Sequence, residues 1–121
     1  KDGRDSYEPN IKKFFKKRGV DPDRIVFSSL FDKDVHLQAK SHANLLLDTH
    51  PYNGHMTVAE ALWAGVPVVT FPGSRPASRV SLSMLRSVGV DRWTVARTPG
   101  EYRDVALSLY QSHQGCGRGY R

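Results

Sequence analysis

The stretch LLLDTHPYNGHMTVAEALWAGVPVVTFPG, Leu45 to Gly73, decides the fold. An apolar run stops at Asp48. A polar turn with one glycine and two histidines follows. A segment of helical periodicity comes next, Met56 to Trp63, stopped by Gly65. A second apolar run then covers Val66 to Phe71. Short apolar runs on either side of an amphipathic helix read as a strand-helix-strand unit with parallel, covered strands. Pro67 belongs at the start of the second strand, because it cannot donate to a ladder. Trp63 is expected in the core, since its neighbours Val58, Ala59 and Leu62 are apolar.

The same alternation extends outward. Ile11, Phe14 and Phe15 give Pro9 to Arg18 a helical face, with Gly19 as its stop. Asp21-Pro22-Asp23 reads as a turn and Ile25-Val26-Phe27 as a short strand. Asp32 is expected to cap a helix reaching about Ala43, and Asn44 to Leu47 is the buried strand before Asp48. Beyond Phe71, Ala77 to Val88 reads as a helix ended by Gly89, and Trp93-Thr94-Val95 as a last strand. Thr98-Pro99-Gly100-Glu101 has the residues of a capping box opening a final helix. The order predicts an α/β fold: a Rossmann-like parallel sheet with helices on both faces and right-handed crossovers. Residues 1–112 form the expected lobe, and 113–121 a flexible, Gly-rich basic tail.

The chain has 121 residues and a formal net charge of +6. That length suits one domain with a real core. The basic balance points to an anionic partner. Its distribution argues against nucleic acid: Lys12, Lys13, Lys16, Lys17 and Arg18 cluster near one end, and no aromatics alternate with Lys/Arg along a strand. No apolar run approaches the roughly 18 residues of a membrane span. The charged start, Lys1 to Asp5, has no apolar region after it, so no signal peptide is expected in this chain. The single cysteine, Cys116, cannot form an internal disulfide, which suits a reducing compartment.

Ligands of open parallel sheets bind outside the carboxyl ends of the strands. Three polar loops leave those ends: Ser28 to Lys33, Asp48 to His55, and Pro72 to Ser78. In the middle loop, Asn53-Gly54-His55-Met56-Thr57 opens a helix directly. First-turn N–H groups carry partial positive charge, Gly54 allows close approach, and His55 and Thr57 add donors. This suits a phosphate or diphosphate. The bland alternative is that Thr57 simply caps the helix and Gly54 simply turns the chain. Glu60, one turn on, could reach a ribose diol or merely complement the helix dipole. Lys33 and His36 share a face; they could meet ribose and base, or face solvent. No metal-ligand spacing, G-x-S-x-G elbow or P-loop is present. Arg75 and Arg79 are expected in surface ion pairs.

Arg24 to Gly89 closely resembles the C-terminal catalytic lobe of the O-linked N-acetylglucosamine (O-GlcNAc) transferase family, a GT-B glycosyltransferase family. LDT-x-x-x-NGH, LWAGVPVVT-x-PG and ASRV carry the resemblance. It implies a partial GT-B C-terminal lobe that holds a UDP-sugar. It also implies transfer of N-acetylglucosamine from UDP-GlcNAc to Ser/Thr of proteins, with inversion and with neither metal nor other cofactor. His55, Thr57 and the Met56 N–H, in the turn with Asn53 and Gly54, would then hold the diphosphate and stabilise the leaving group. Lys33 and Glu60 would contact the ribose, His36 the uracil face, and the backbone around Phe31 the uracil edge. The family commonly has Thr where Met56 stands, Asp for Glu60 and Arg for Ala39. TPR repeats upstream and a cytoplasmic or nucleocytoplasmic location are further expectations. So is a longer parent enzyme, with this piece inactive alone. The alternatives are a non-catalytic TPR-linked module with a vestigial nucleotide site, or an O-fucosyltransferase using GDP-fucose.

Overall fold

The computed structural model describes residues 4–28 and 32–115, in two units, Lys1–Phe31 and Asp32–Arg121. In the first, helix α1 spans Arg4–Lys16. It begins before Pro9, which sits inside the helix and not at its start. Proline removes one N–H bond there, and the turns on both sides remain helical. The helix ends as expected at Gly19, where φ is 79° and the Val20 N–H donates to Phe15 O at 3.1 Å. Asp21 then caps a short 3-10 turn, Pro22–Arg24, by accepting from the Asp23 N–H. The predicted strand Ile25-Val26-Phe27 is not a strand. The segment is extended without a ladder partner among the described residues, and Val26 is exposed.

The second unit starts with α2, Lys33–Ser41. Asp32 precedes it without making a side-chain cap bond. Strand β1 is Leu46–Leu47, α3 is Met56–Trp63, and β2 is Val68–Val69. The two strands pair in parallel, Leu46 with Val68 and Leu47 with Val69. The strands are shorter than their apolar runs. The ladder lasts only while both chains stay extended side by side, and β1 turns away at Asp48, whose N–H makes the last bond, to Val69 O at 3.0 Å. Thr70 continues β2 as an isolated parallel bridge to Val95. This corrects the predicted strand Trp93-Thr94-Val95: Asp91–Thr94 is one helical turn, α5 below, and only Val95 reaches the sheet. Helices and a small parallel sheet in this order make a partial Rossmann-like α/β lobe.

A 3-10 turn, Pro76–Ser78, leads into α4, Val80–Ser87; α5 is Asp91–Thr94 and α6 is Pro99–Gly115. The core is Val58 and Ala61 of α3, Val66 and Val68, and Leu85 of α4. Trp63 is not part of it and is 86% exposed. At 100° per residue, Trp63 lies five positions past Val58, about 140° round the helix from the buried stripe. The capping box at α6 forms: the Glu101 N–H donates to Thr98 Oγ1 at 3.1 Å. The Glu101 carboxylate accepts from the Arg97 N–H at 2.7 Å, one residue before the cap. Helix α6 runs three residues past the expected lobe end, to Gly115. Cys116 and the rest of the tail lie outside the described residues.

Helix α6 is tied to the sheet edge by Tyr102, whose OH donates to the Asp48 carbonyl at 2.9 Å. Burial, and then the nearby Asp48 charge, raise the Tyr102 phenol above its ordinary value of 10.0. The folded chain therefore holds this proton more tightly than the unfolded chain. Its contribution is fully present below pH 10.0 and is lost as pH rises through the higher folded value. Tyr102→Phe is expected to cost about 0.5–1.5 kcal/mol at neutral pH. Urea denaturation of this variant should also show a smaller loss of stability at alkaline pH than the native chain.

Candidate functional site

The carboxyl end of β1 is built around Asp48, which is 7% exposed. Its Oδ1 accepts the Gly54 N–H at 2.8 Å and its Oδ2 accepts the Thr70 hydroxyl at 2.7 Å. One carboxylate thus fixes the turn before α3 and the end of the neighbouring strand together. The rest of the turn is equally held. The Asn53 N–H donates to Ala77 O at 2.9 Å and its Nδ2 to Thr49 O at 3.0 Å. Ser81 Oγ reaches Gly54 O at 3.3 Å, and His50 Nδ1 lies 3.1 Å from Phe71 O. The loops Asp48 to His55 and Pro72 to Ser78 therefore meet at one edge, as the strand order predicts. Gly73 is a point of close approach: a Cβ there would lie 2.6 Å from Ser78 Oγ and 3.1 Å from His50 Cε1.

This turn delivers the start of α3 to the carboxyl edge. His55 is the N-cap residue, and no side-chain cap bond is made to the helix among the described residues. Ala59 makes the first helical bond, to His55 O at 3.1 Å. The N–H groups of Met56, Thr57 and Val58 precede it, so they have no partner within the helix. The bland reading, with Thr57 as the cap, does not hold. His55, Met56 and Thr57 are all exposed. The His55 ring stacks on Tyr52, with centroids 5.0 Å apart and an interplanar angle of 22°. The result is a helix start at exposed residues, with an imidazole beside it, of a kind suited to an anion.

The other proposed residues fall into two groups. Asn53 is fully buried, with its Oδ1 unpartnered among the described residues. Gly54 gives its N–H to Asp48, and a Cβ there would press on Val58 Cγ2 at 3.2 Å. Both residues shape the turn from inside. Glu60 lies one turn into α3, facing α2. Its carboxylate pairs with Lys40, and His36 Nε2 is 3.6 Å from the same oxygen. Lys40 Nζ also lies 3.5 Å from Thr57 O. His36 and Glu60 are thus brought together beside the α3 start. Lys33 opens α2; its side chain, like the whole of Phe31, lies outside the described residues. Arg79, expected in a surface ion pair, is in none among the described residues and donates to Gly73 O at 2.9 Å.

Sequence reasoning missed Lys40. Its signal was the four-residue spacing from His36, which puts both on one face of α2. It missed the paired role of Asp48 and Thr70 as well. The signal there was an acid ending one apolar run and a hydroxyl ending the next. Among the described residues, no group of three or more His, Cys, Asp or Glu is placed to hold a metal ion, and no helix is long and apolar enough to cross a membrane.

The parallel pair with a helix start at its carboxyl edge defines a partial Rossmann-like α/β lobe. The model of "Glycosyl transferase family 41" matches residues 5–116. The chain belongs to that family. It is 43% identical over 102 residues to the UDP-N-acetylglucosamine–peptide N-acetylglucosaminyltransferase of Caenorhabditis elegans, covering 84% of this chain and 9% of that protein. It is 39% identical over 109 residues to the probable UDP-N-acetylglucosamine–peptide N-acetylglucosaminyltransferase SPINDLY of Petunia hybrida, covering 88% and 12%. A mutant O-GlcNAc transferase of Thermobaculum terrenum superposes with a TM-score of 0.80 at 35% identity, covering 88% of this chain and 22% of that one. The chain therefore spans a small part of each relative's length, and its lobe has the fold of part of a GT-B enzyme.

Asp48→Asn keeps the size and removes the charge; its oxygen can keep the Gly54 N–H and its amide can donate to the Thr70 hydroxyl, which also accepts. The expected cost is about 1–3 kcal/mol. Thr70→Val leaves the buried, charged Oδ2 of Asp48 without its donor and should cost more. Chemical denaturation of the two variants checks the order.

Proposed function

We propose that this chain is the UDP-sugar-binding part of a protein O-GlcNAc transferase-like glycosyltransferase. The parent enzyme would transfer N-acetylglucosamine from UDP-GlcNAc to Ser/Thr hydroxyls of proteins, with inversion at the sugar. The observation that carries the nucleotide assignment is the uncapped start of α3 at the carboxyl edge of the parallel pair, with His55 exposed beside it. The names of the relatives supply the substrate class.

Breaking the glycosidic bond leaves growing negative charge on the diphosphate. The first-turn N–H groups of Met56 and Thr57, the Thr57 hydroxyl and the His55 imidazole are the donors for it. Donors fixed before the reaction stabilise developing charge without reorganising, which is the largest single term in many enzymes. In this reading the protein groups do what a metal does in other transferases, and no cofactor is needed. Helix α2 meets the nucleoside: His36 the base, Lys33 and Glu60 the ribose, with the Phe31 backbone at the base edge. Lys40 holds the Glu60 carboxylate beside that position. The protein acceptor and its activation belong to other parts of a longer enzyme. TPR repeats there and a cytoplasmic or nucleocytoplasmic setting complete the proposal.

Titration calorimetry with UDP tests the assignment. The native chain should bind UDP, and His55→Ala should weaken binding on the order of tenfold or more, the scale of one charge-assisted hydrogen bond. Equal affinities would remove His55 from the diphosphate site.

A further inference from the structure

Tyr52 has been given no role so far, yet its ring is in contact with His55. It is 62% exposed, so burial does not account for it. Its ring lies nearly parallel to the His55 imidazole, 22° between planes at 5.0 Å. Its backbone is pinned: Thr49 Oγ1 donates to Tyr52 O at 2.6 Å, and Asn53, the next residue, is anchored through its N–H to Ala77 O at 2.9 Å. The phenol therefore stands on a rigid stretch of turn, while His55 stands on the surface at a helix end.

We propose that Tyr52 is the positioning residue for His55, a role that rests on the diphosphate reading above. Stacking occupies a face of the imidazole. Hydrogen bonds from imidazole nitrogens leave along the ring edge, in the ring plane. A stacked neighbour thus restrains rotation about the outer torsion and keeps the donating edge available. An exposed imidazole without this contact would sample several orientations and lose that freedom on binding the anion. Tyr52 spends the ordering before the ligand arrives. The hydroxyl has no part in this, so Phe should serve as well as Tyr.

The test uses the native chain and Tyr52→Phe, Tyr52→Leu, His55→Ala and the Tyr52→Leu/His55→Ala double variant. Two readouts are needed. The first is the NMR shift of the His55 ring protons without nucleotide. Stacking moves them upfield; Phe should preserve the displacement and Leu abolish it. The second is UDP affinity by calorimetry. Tyr52→Leu should bind on the order of three- to tenfold more weakly, the usual scale of an aromatic pair. Tyr52→Phe should match the native chain, and Tyr52→Leu should add nothing once His55 is Ala. Because Tyr52 is exposed, the thermal midpoint of Tyr52→Leu should stay near native. Native affinity in Tyr52→Leu, or an equal loss with and without His55, would overturn the proposal. So would a native His55 ring without the upfield shift. A present stack with no UDP binding by the native chain would instead sink the nucleotide reading, and the positioning role with it.

Discussion

One carboxylate holds the functional edge together. Asp48 ends β1, and its two oxygens take the Gly54 N–H and the Thr70 hydroxyl. Its carbonyl takes the Tyr102 hydroxyl and its N–H closes the ladder to Val69. Strand, neighbouring strand, turn and α6 all terminate on this residue. A buried acid is costly unless its oxygens are satisfied. Here each oxygen has a donor, and each donor belongs to a different structural element. Satisfying the charge and fixing the geometry are the same event.

The consequence is directional. Because Gly54 is bound to Asp48, the chain enters α3 at a set angle, and the first-turn donors of that helix face outward at the sheet edge. The Asn53 side chain is turned inward, which leaves His55 as the outward-facing polar group at the cap. Helix α2 is attached to the same region through the Lys40 and Glu60 pair. The side that would meet a nucleoside and the side that would meet a diphosphate are thereby both referred to the start of α3.

Legibility in the sequence follows the range of the forces involved. Helix α3 was readable to the residue, since its start and its Gly65 stop are local chemistry. The α6 capping box was readable for the same reason. Strand lengths were not: a ladder needs a partner, so Ile25-Val26-Phe27 with high β-propensity stays unpaired among the described residues, and Trp93-Thr94-Val95 becomes a helical turn with one bridging residue. Trp63 is apolar by type, but its angle on the helix puts it on the exposed side. In the site, His55 and Thr57 were placed by the helix-start pattern, and the family resemblance agreed. Lys40 was hidden because its partner, Glu60, lies on another helix and only packing brings them together. The Tyr52–His55 stack was hidden for a related reason: the turn's hydrogen bonds, and not any helical spacing, put the two rings face to face.

The central claim is that the start of α3 receives a diphosphate. Backbone amide shifts of the native chain, followed by NMR while UDP or uridine is added, test it most directly. With UDP, the amide signals of Met56, Thr57 and Val58 should move together and saturate, and uridine should leave them in place. Saturable UDP shifts that spare these three amides, or equal shifts with uridine, would contradict the account.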